Sequence, residues 1–265
     1  MRDGRSKLMT ATDTVSTLRP PEQTETKKTI RAAGLWYLAF LVLSGFGMMW
    51  ADRQFYVPGD TAATINNLTG HELLFKAGAL SVLAGYVCFL VLVNVLYRLL
   101  APTGEDLARL MAIFVVTGVA VAFLNRLVQL SVLLVLDGNG PASAMGTGVQ
   151  DVMVMTLFDV HRSGEWLAGF FWGLWLLPLG WLVRRSGLFP KWLGSLLMEG
   201  GVAYIIQAGL YFLAPRAFAA SEWVFSGALA IPEVTFIVWL LARGFLGRST
   251  RSRLASRLHG SEMVA

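Results

Sequence analysis

Charge is what this sequence has least of. Only 15% of its 265 residues are Asp, Glu, Lys or Arg, and 55% are hydrophobic, where an ordinary soluble domain carries about 25% charged residues. That excludes an ordinary soluble globular protein. A single cysteine, Cys88, rules out an intrachain disulfide and a metal centre built on paired cysteines. The three histidines, His71, His161 and His259, are scattered along the chain, so the sequence leads us to expect no metal and no cofactor. No motif fixes an activity. No short apolar core follows closely behind Met1, so the first apolar run is expected to be a retained anchor rather than a cleaved signal peptide.

What the chain does have is apolar runs of roughly 18 to 27 residues, each able to cross a hydrocarbon core of about 30 Å as a helix. We read six, at about 32–50, 74–97, 110–136, 153–183, 192–213 and 223–242. The expected fold class is therefore all-α, a polytopic membrane helix bundle with six transmembrane helices. It is flanked by a disordered basic tail at 1–31 and a second basic tail at 246–265, around a transmembrane domain at 32–245. An even number of spans puts both termini on one side. Most of the 22 Lys and Arg fall in the two tails and in the connections holding Arg98, Arg109, Arg184, Arg185 and Lys191, which makes that side cytoplasmic. This distribution also explains the net charge of +5 without nucleic acid; the expected partners are membrane lipids.

The opposite connections carry little positive charge. The stretch 137–152 reads as a flexible outer loop. The other outer loop is more structured: Pro58-Gly59 makes a turn, and Asp60 or Thr61 can cap a short helix ending near Gly70.

Polar residues inside the runs are costly, about 2.5–3.5 kcal/mol for an ionisable side chain at mid-membrane. Counting about 1.5 Å per residue from the cytoplasmic end of each span sorts them into two levels. Arg126 and Gln207 lie about 25 Å up, near the outer boundary, with Asp159, His161, Arg162 and Glu165 at or above that level. Glu199 and Glu233 lie about 12–15 Å up, close to mid-membrane. Asn125 and Gln129 share a helix face with Arg126 beside them, Asp159 pairs by spacing with Arg162 and His161 with Glu165, and Gly200, Tyr204, Gln207 and Tyr211 form a stripe. We expect a polar pocket built from Asn125, Arg126, Gln129, Glu199, Tyr204 and Gln207. It opens outward, narrows toward Glu199 and Glu233, and suits a small amphiphilic molecule or a lipid. The same polar groups also fit the hydrogen bonds that hold membrane helices together with no ligand.

The segments Val57-Pro58-Gly59-Asp60, Phe123-Leu124-Asn125, Asp159 with His161 and Gly164, and Phe171 through Pro178-Leu179-Gly180 resemble a bacterial membrane family known only as a domain of unknown function, as do Ser186-Gly187 and Phe189-Pro190. The resemblance covers most of the chain and implies six helices and a bacterial source, hence a bacterial inner (plasma) membrane. It implies no activity and no catalytic residues. Three readings follow: a ligand-binding or transport-type protein; a membrane-embedded enzyme acting on a lipid or isoprenoid, with Asp159, His161, Glu165 or Glu233 as acid or base and Arg126 as an anion clamp; and a structural subunit without a ligand.

Overall fold

A computed structural model describes residues 20–137 and 144–246, and every regular element among them is helical. Helix α1 (Pro20–Ser44) starts at a Pro-Pro pair, which pre-sets φ for a first turn. It runs through Thr24–Arg31, which the sequence reading assigned to a disordered tail. Glu25 pairs with Lys28 at 2.8 Å one turn on, and Ile30 and Ala33 are buried in the core. That burial outweighs the polar composition. The remainder of the expected tail, 1–19, and the expected tail at 247–265 lie outside the described residues.

The end of α1 changes pitch. Gly45–Ala51 form a π-helical segment and Asp52–Gln54 a 3-10 turn. Gly47 lies against the Gly78 carbonyl, where a Cβ would come within 2.6 Å of the oxygen. The expected turn and cap follow: Gly59 adopts φ 78°, and the Asp60 carboxylate accepts from the Ala63 amide at 2.9 Å to start α2 (Thr61–Gly70).

The remaining helices are α3 (Glu72–Leu100), α4 (Glu105–Leu136), α5 (Thr147–Arg185), α6 (Lys191–Leu213) and α7 (Pro215–Leu246). Residues 147–152, expected in a loop, are the first turns of α5; of the rest of that loop, 138–143 lie outside the described residues. Five helical stretches, Thr24–Gln54, Glu72–Thr103, Glu105–Leu136, Thr147–Arg185 and Lys191–Leu213, are long and apolar enough to cross a membrane. This is the architecture of a multi-pass membrane protein.

The long helices pack in sequence order, α1 on α3, then α3 on α4 and so on to α7, which returns to α1 and closes a ring. Trp175 is fully buried at its centre, edge-on to Tyr37 and Phe89. At the end carrying α2, a second cluster around Ala51, Phe55, Leu68, Phe75 and Phe158 seats the α1–α3 connection on α4 and α5. Helices α5 and α6 approach closely, Gly173 meeting Gly201 and Gly180 meeting Gly194. Such small residues allow backbones to touch where lipid supplies no hydrophobic drive between helices.

A Cβ at Gly180 would lie 2.5 Å from the Gly194 carbonyl oxygen, which is backbone and cannot swing aside. Gly180→Ala should therefore destabilise the protein by about 1–3 kcal/mol through overpacking. Gly148→Ala, with open space around it on the same helix, should cost nothing. Thermal unfolding of both variants in one detergent checks this contrast.

Candidate functional site

Two polar groupings emerge, one near the α2 end of the ring and one deeper. The first is built on α4, whose residues Asn125, Arg126 and Gln129 are all buried. Asn125 faces α5 at Gly164, where any Cβ would collide with the Asn125 amide. That close approach permits a reciprocal pair: Asn125 Nδ2 donates to the His161 carbonyl at 3.0 Å, and His161 Nδ1 donates to the Asn125 carbonyl at 3.1 Å. A carbonyl only accepts, so Nδ1 carries a hydrogen. Nε2 then faces Glu165 Oε1 at 3.5 Å, one turn along α5.

Arg126 is 2% exposed and needs a counter-charge. Asp52, on the turn that ends α1, supplies it: Arg126 Nη1 donates to Asp52 Oδ2 and to Gln129 Oε1, each at 2.6 Å. Gln129 Nε2 closes the triangle by donating to Asp52 Oδ1 at 2.9 Å. The second nitrogen, Arg126 Nη2, lies 3.5 Å from Glu165 Oε1 and has no hydrogen-bond partner among the described residues. Glu165 is 34% exposed, so this cluster is reached from one side through Glu165.

Asp159 stands apart from this cluster. It is exposed and accepts from the Tyr56 hydroxyl at 3.0 Å, in place of the Arg162 pairing its spacing allowed. Partial burial, reinforced by the Asp159 hydrogen bond, pushes the Tyr56 hydroxyl above its ordinary pKa. Nearby, the Ser163 and Tyr211 hydroxyls are 3.0 Å apart, and Trp166 stacks on Tyr211.

The deeper grouping centres on Glu233, immediately after the buried Pro232 of α7. Its Oε2 accepts from the Tyr37 hydroxyl of α1 and its Oε1 from the Tyr204 hydroxyl of α6 at 3.1 Å. These three residues border a cavity of about 260 Å³ walled by Phe40, Met48, Tyr86, Phe89 and Trp172. Ser44 also lines it, but its buried hydroxyl packs against the α3 backbone at Gly85 and has no hydrogen-bond partner among the described residues.

The arrangement differs from one funnel running from Arg126 to the mid-membrane carboxyls. Asn125, Arg126, Gln129, His161 and Glu165 come together, and Tyr204 and Glu233 come together in a separate, mostly apolar cavity. Glu199 joins neither: it is exposed on the outer face of α6. Gln207 is buried, and its side-chain oxygen has no partner among the described residues. Asp52, Tyr37 and Ser44 were missed. Asp52 left a signal, as an acid placed at the end of the first apolar run where an intramembrane arginine needs a counter-ion.

A family model described as a domain of unknown function (DUF4386) matches residues 32–244, and the chain belongs to that family. An uncharacterised protein of Archaeoglobus fulgidus is 30% identical over 149 residues, which are 56% of this chain and 72% of the relative. That relative is archaeal, so it lends no support to a bacterial source in particular. No solved structure matches.

Arg126→Met should destabilise the protein by about 3–5 kcal/mol, because Asp52 is left as an unpaired, mostly buried charge. Adding Asp52→Leu removes that charge and should recover a coupling of about 0.5–3 kcal/mol. Unfolding of wild type, both single variants and the double variant in one detergent measures this coupling; additive losses would mean the pair is not energetically linked.

Proposed function

We propose that this member of the DUF4386 family binds a small amphiphilic molecule, one apolar chain ending in a hydrogen-bonding group, in the cavity beside Glu233. The observation that carries this reading is the Glu233 carboxyl, held by two tyrosine hydroxyls at the border of a cavity whose wall is otherwise largely aromatic and aliphatic. Buried polar groups find partners in native proteins, and a ligand's polar end would meet the Glu233 carboxyl where it borders the cavity. The volume, just below the about 300–1,000 Å³ usual for small-molecule pockets, suits a slender chain. Leu41 on α1, Met49 on the π-helical segment that follows it and Val234 on α7 are exposed at its rim. That supports entry from the bilayer between those two helices rather than through an outward-opening polar mouth. Lipid tails are as apolar as the cavity wall, so the polar end and the shape of the aromatic wall carry the selectivity.

In this reading α7 is the sixth span, and both termini face the cytoplasm of a cell whose plasma membrane holds the protein. Arg31, about three turns into α1, and Arg185 and Arg243, at and near the ends of α5 and α7, each sit over an aromatic ring, at 5.6, 4.4 and 5.4 Å from Phe245, Trp181 and Trp239. Cations over an aromatic belt at one end of the ring support a cytoplasmic interface there.

A second reading, chemistry on a lipid's polar end, draws on Glu165 beside His161, an acid–base pair that solvent reaches.

Native mass spectrometry of the detergent-purified protein tests the binding reading. Wild type should carry a defined, non-bulk amphiphile. Ala230→Trp, which fills the rim, should lose it, and Glu233→Gln should weaken it by about tenfold or more, the worth of a hydrogen bond to a charged group. The same bulk phospholipid in wild type and Ala230→Trp would overturn the reading and favour a structural subunit without a ligand.

A further inference from the structure

We propose that Asp52, His161 and Glu165 form a site for a first-row divalent cation of the Zn²⁺ or Mn²⁺ class, separate from the cavity beside Glu233. One carboxylate oxygen from each acid and a ring nitrogen of His161 lie within 4.8 Å of one another. A cation making bonds of about 2.0–2.2 Å closes that triangle with small side-chain shifts. The sequence alone argued against a metal because its histidines are scattered. One histidine suffices when two carboxylates converge on it, and Asp52 arrives from a distant helix.

Three features of the cluster point the same way. His161 Nδ1 donates to the Asn125 carbonyl at 3.1 Å, leaving the Nε2 lone pair directed toward the carboxylates. Metal-bound histidines make this kind of orienting hydrogen bond with their other nitrogen. The ligand atoms themselves are two carboxylates and an imidazole, and of the two guanidiniums that act on Glu165 only Arg126 is buried in the cluster, Arg162 being exposed, so the ligand set suits a cation rather than an anion. Arg126 Nη2, on a side chain 2% exposed, lies beside Glu165 with no hydrogen-bond acceptor among the described residues. A water completing the metal's coordination would accept from it. Three protein ligands with a position left to water is the composition of zinc sites that do chemistry rather than brace a fold. A protonated His161 paired with Glu165 would balance the same charges without a metal, and the experiment separates the two.

The full chain, purified in mild detergent through a tag without histidines, is stripped with EDTA and dialysed against Zn²⁺ or Mn²⁺. Bound metal is then counted by elemental mass spectrometry. Wild type should retain one equivalent of one of them and gain thermal stability from it. His161→Ala and Glu165→Gln should each lower the affinity about tenfold or more and abolish the stability gain. His71→Ala, which changes a histidine outside the cluster, should match wild type. The two primary variants leave the Arg126–Asp52 pair intact, and size-exclusion profiles report their folding. Should either aggregate, His161→Gln is measured instead. No retained metal in wild type, or equal retention in the folded cluster variants, would overturn the proposal and leave the protonated His161 pairing. Neither outcome bears on the amphiphile reading, which is scored on different residues.

Discussion

A guanidinium buried in a membrane-spanning helix must be met by acceptors, and in this molecule much of the α2 end of the ring follows from that requirement. Arg126 draws Asp52 toward α4, and Gln129 bonds to both partners and fixes their spacing. For Asp52 to arrive there, α1 abandons α-helical pitch at Gly45, passes through a π segment and tightens into a 3-10 turn. π segments are rare and occur frequently at functional sites. Gly164 brings α5 close enough for His161 and Asn125 to exchange hydrogen bonds. The counter-ion, the histidine tautomer and the path of the connection into α2 are thus one coupled solution.

Elsewhere the ring is held by contact rather than by charge. The glycine pairs of α5 and α6 let two backbones touch, and Trp175 fills the centre. Between α1 and α7 the side chains at the interface include large aromatics and exposed rim residues, and a cavity remains. Glu233 is the fixed point of that region: its carboxyl joins α1, α6 and α7 through two tyrosine hydroxyls. Tight packing on one side and a polar tie across a void on the other give the ring a firm wall and a softer one.

The spans were legible because apolar runs of this length have few other uses, and the cap at Asp60 because its turn chemistry is local. Depth was legible too, since a helix rises by a fixed amount per residue. Azimuth was not. Glu199 and Glu233 were read at nearly the same height, yet one faces outward from α6 and the other into the cavity. Which way a side chain points depends on where the neighbouring helix lies, and two uniformly apolar helices such as α6 and α7 give little periodic signal to locate it. Asp159 shows the same limit: its spacing to Arg162 allowed a pair within α5, but Tyr56 from a distant connection took the carboxylate. Asp52 escaped because it follows the apolar run instead of interrupting it. The start of α1 escaped because the burial of Ile30 depends on a partner helix far along the chain.

The ring closes between the first and last of the described helices, and this has a consequence for how the protein is made. Tyr37 and Glu233 are 196 residues apart in the chain, so at about 5–20 residues per second of synthesis roughly 10–40 s pass between the emergence of one and the other. During that interval the α1 wall of the cavity is open to the surrounding bilayer, its aromatic face solvated by lipid. When α7 docks, it closes over whatever lies there. The wall of the cavity between α1 and α7 is therefore completed only once α7 has been made, and under the proposed reading its first occupant would come from the membrane around the chain.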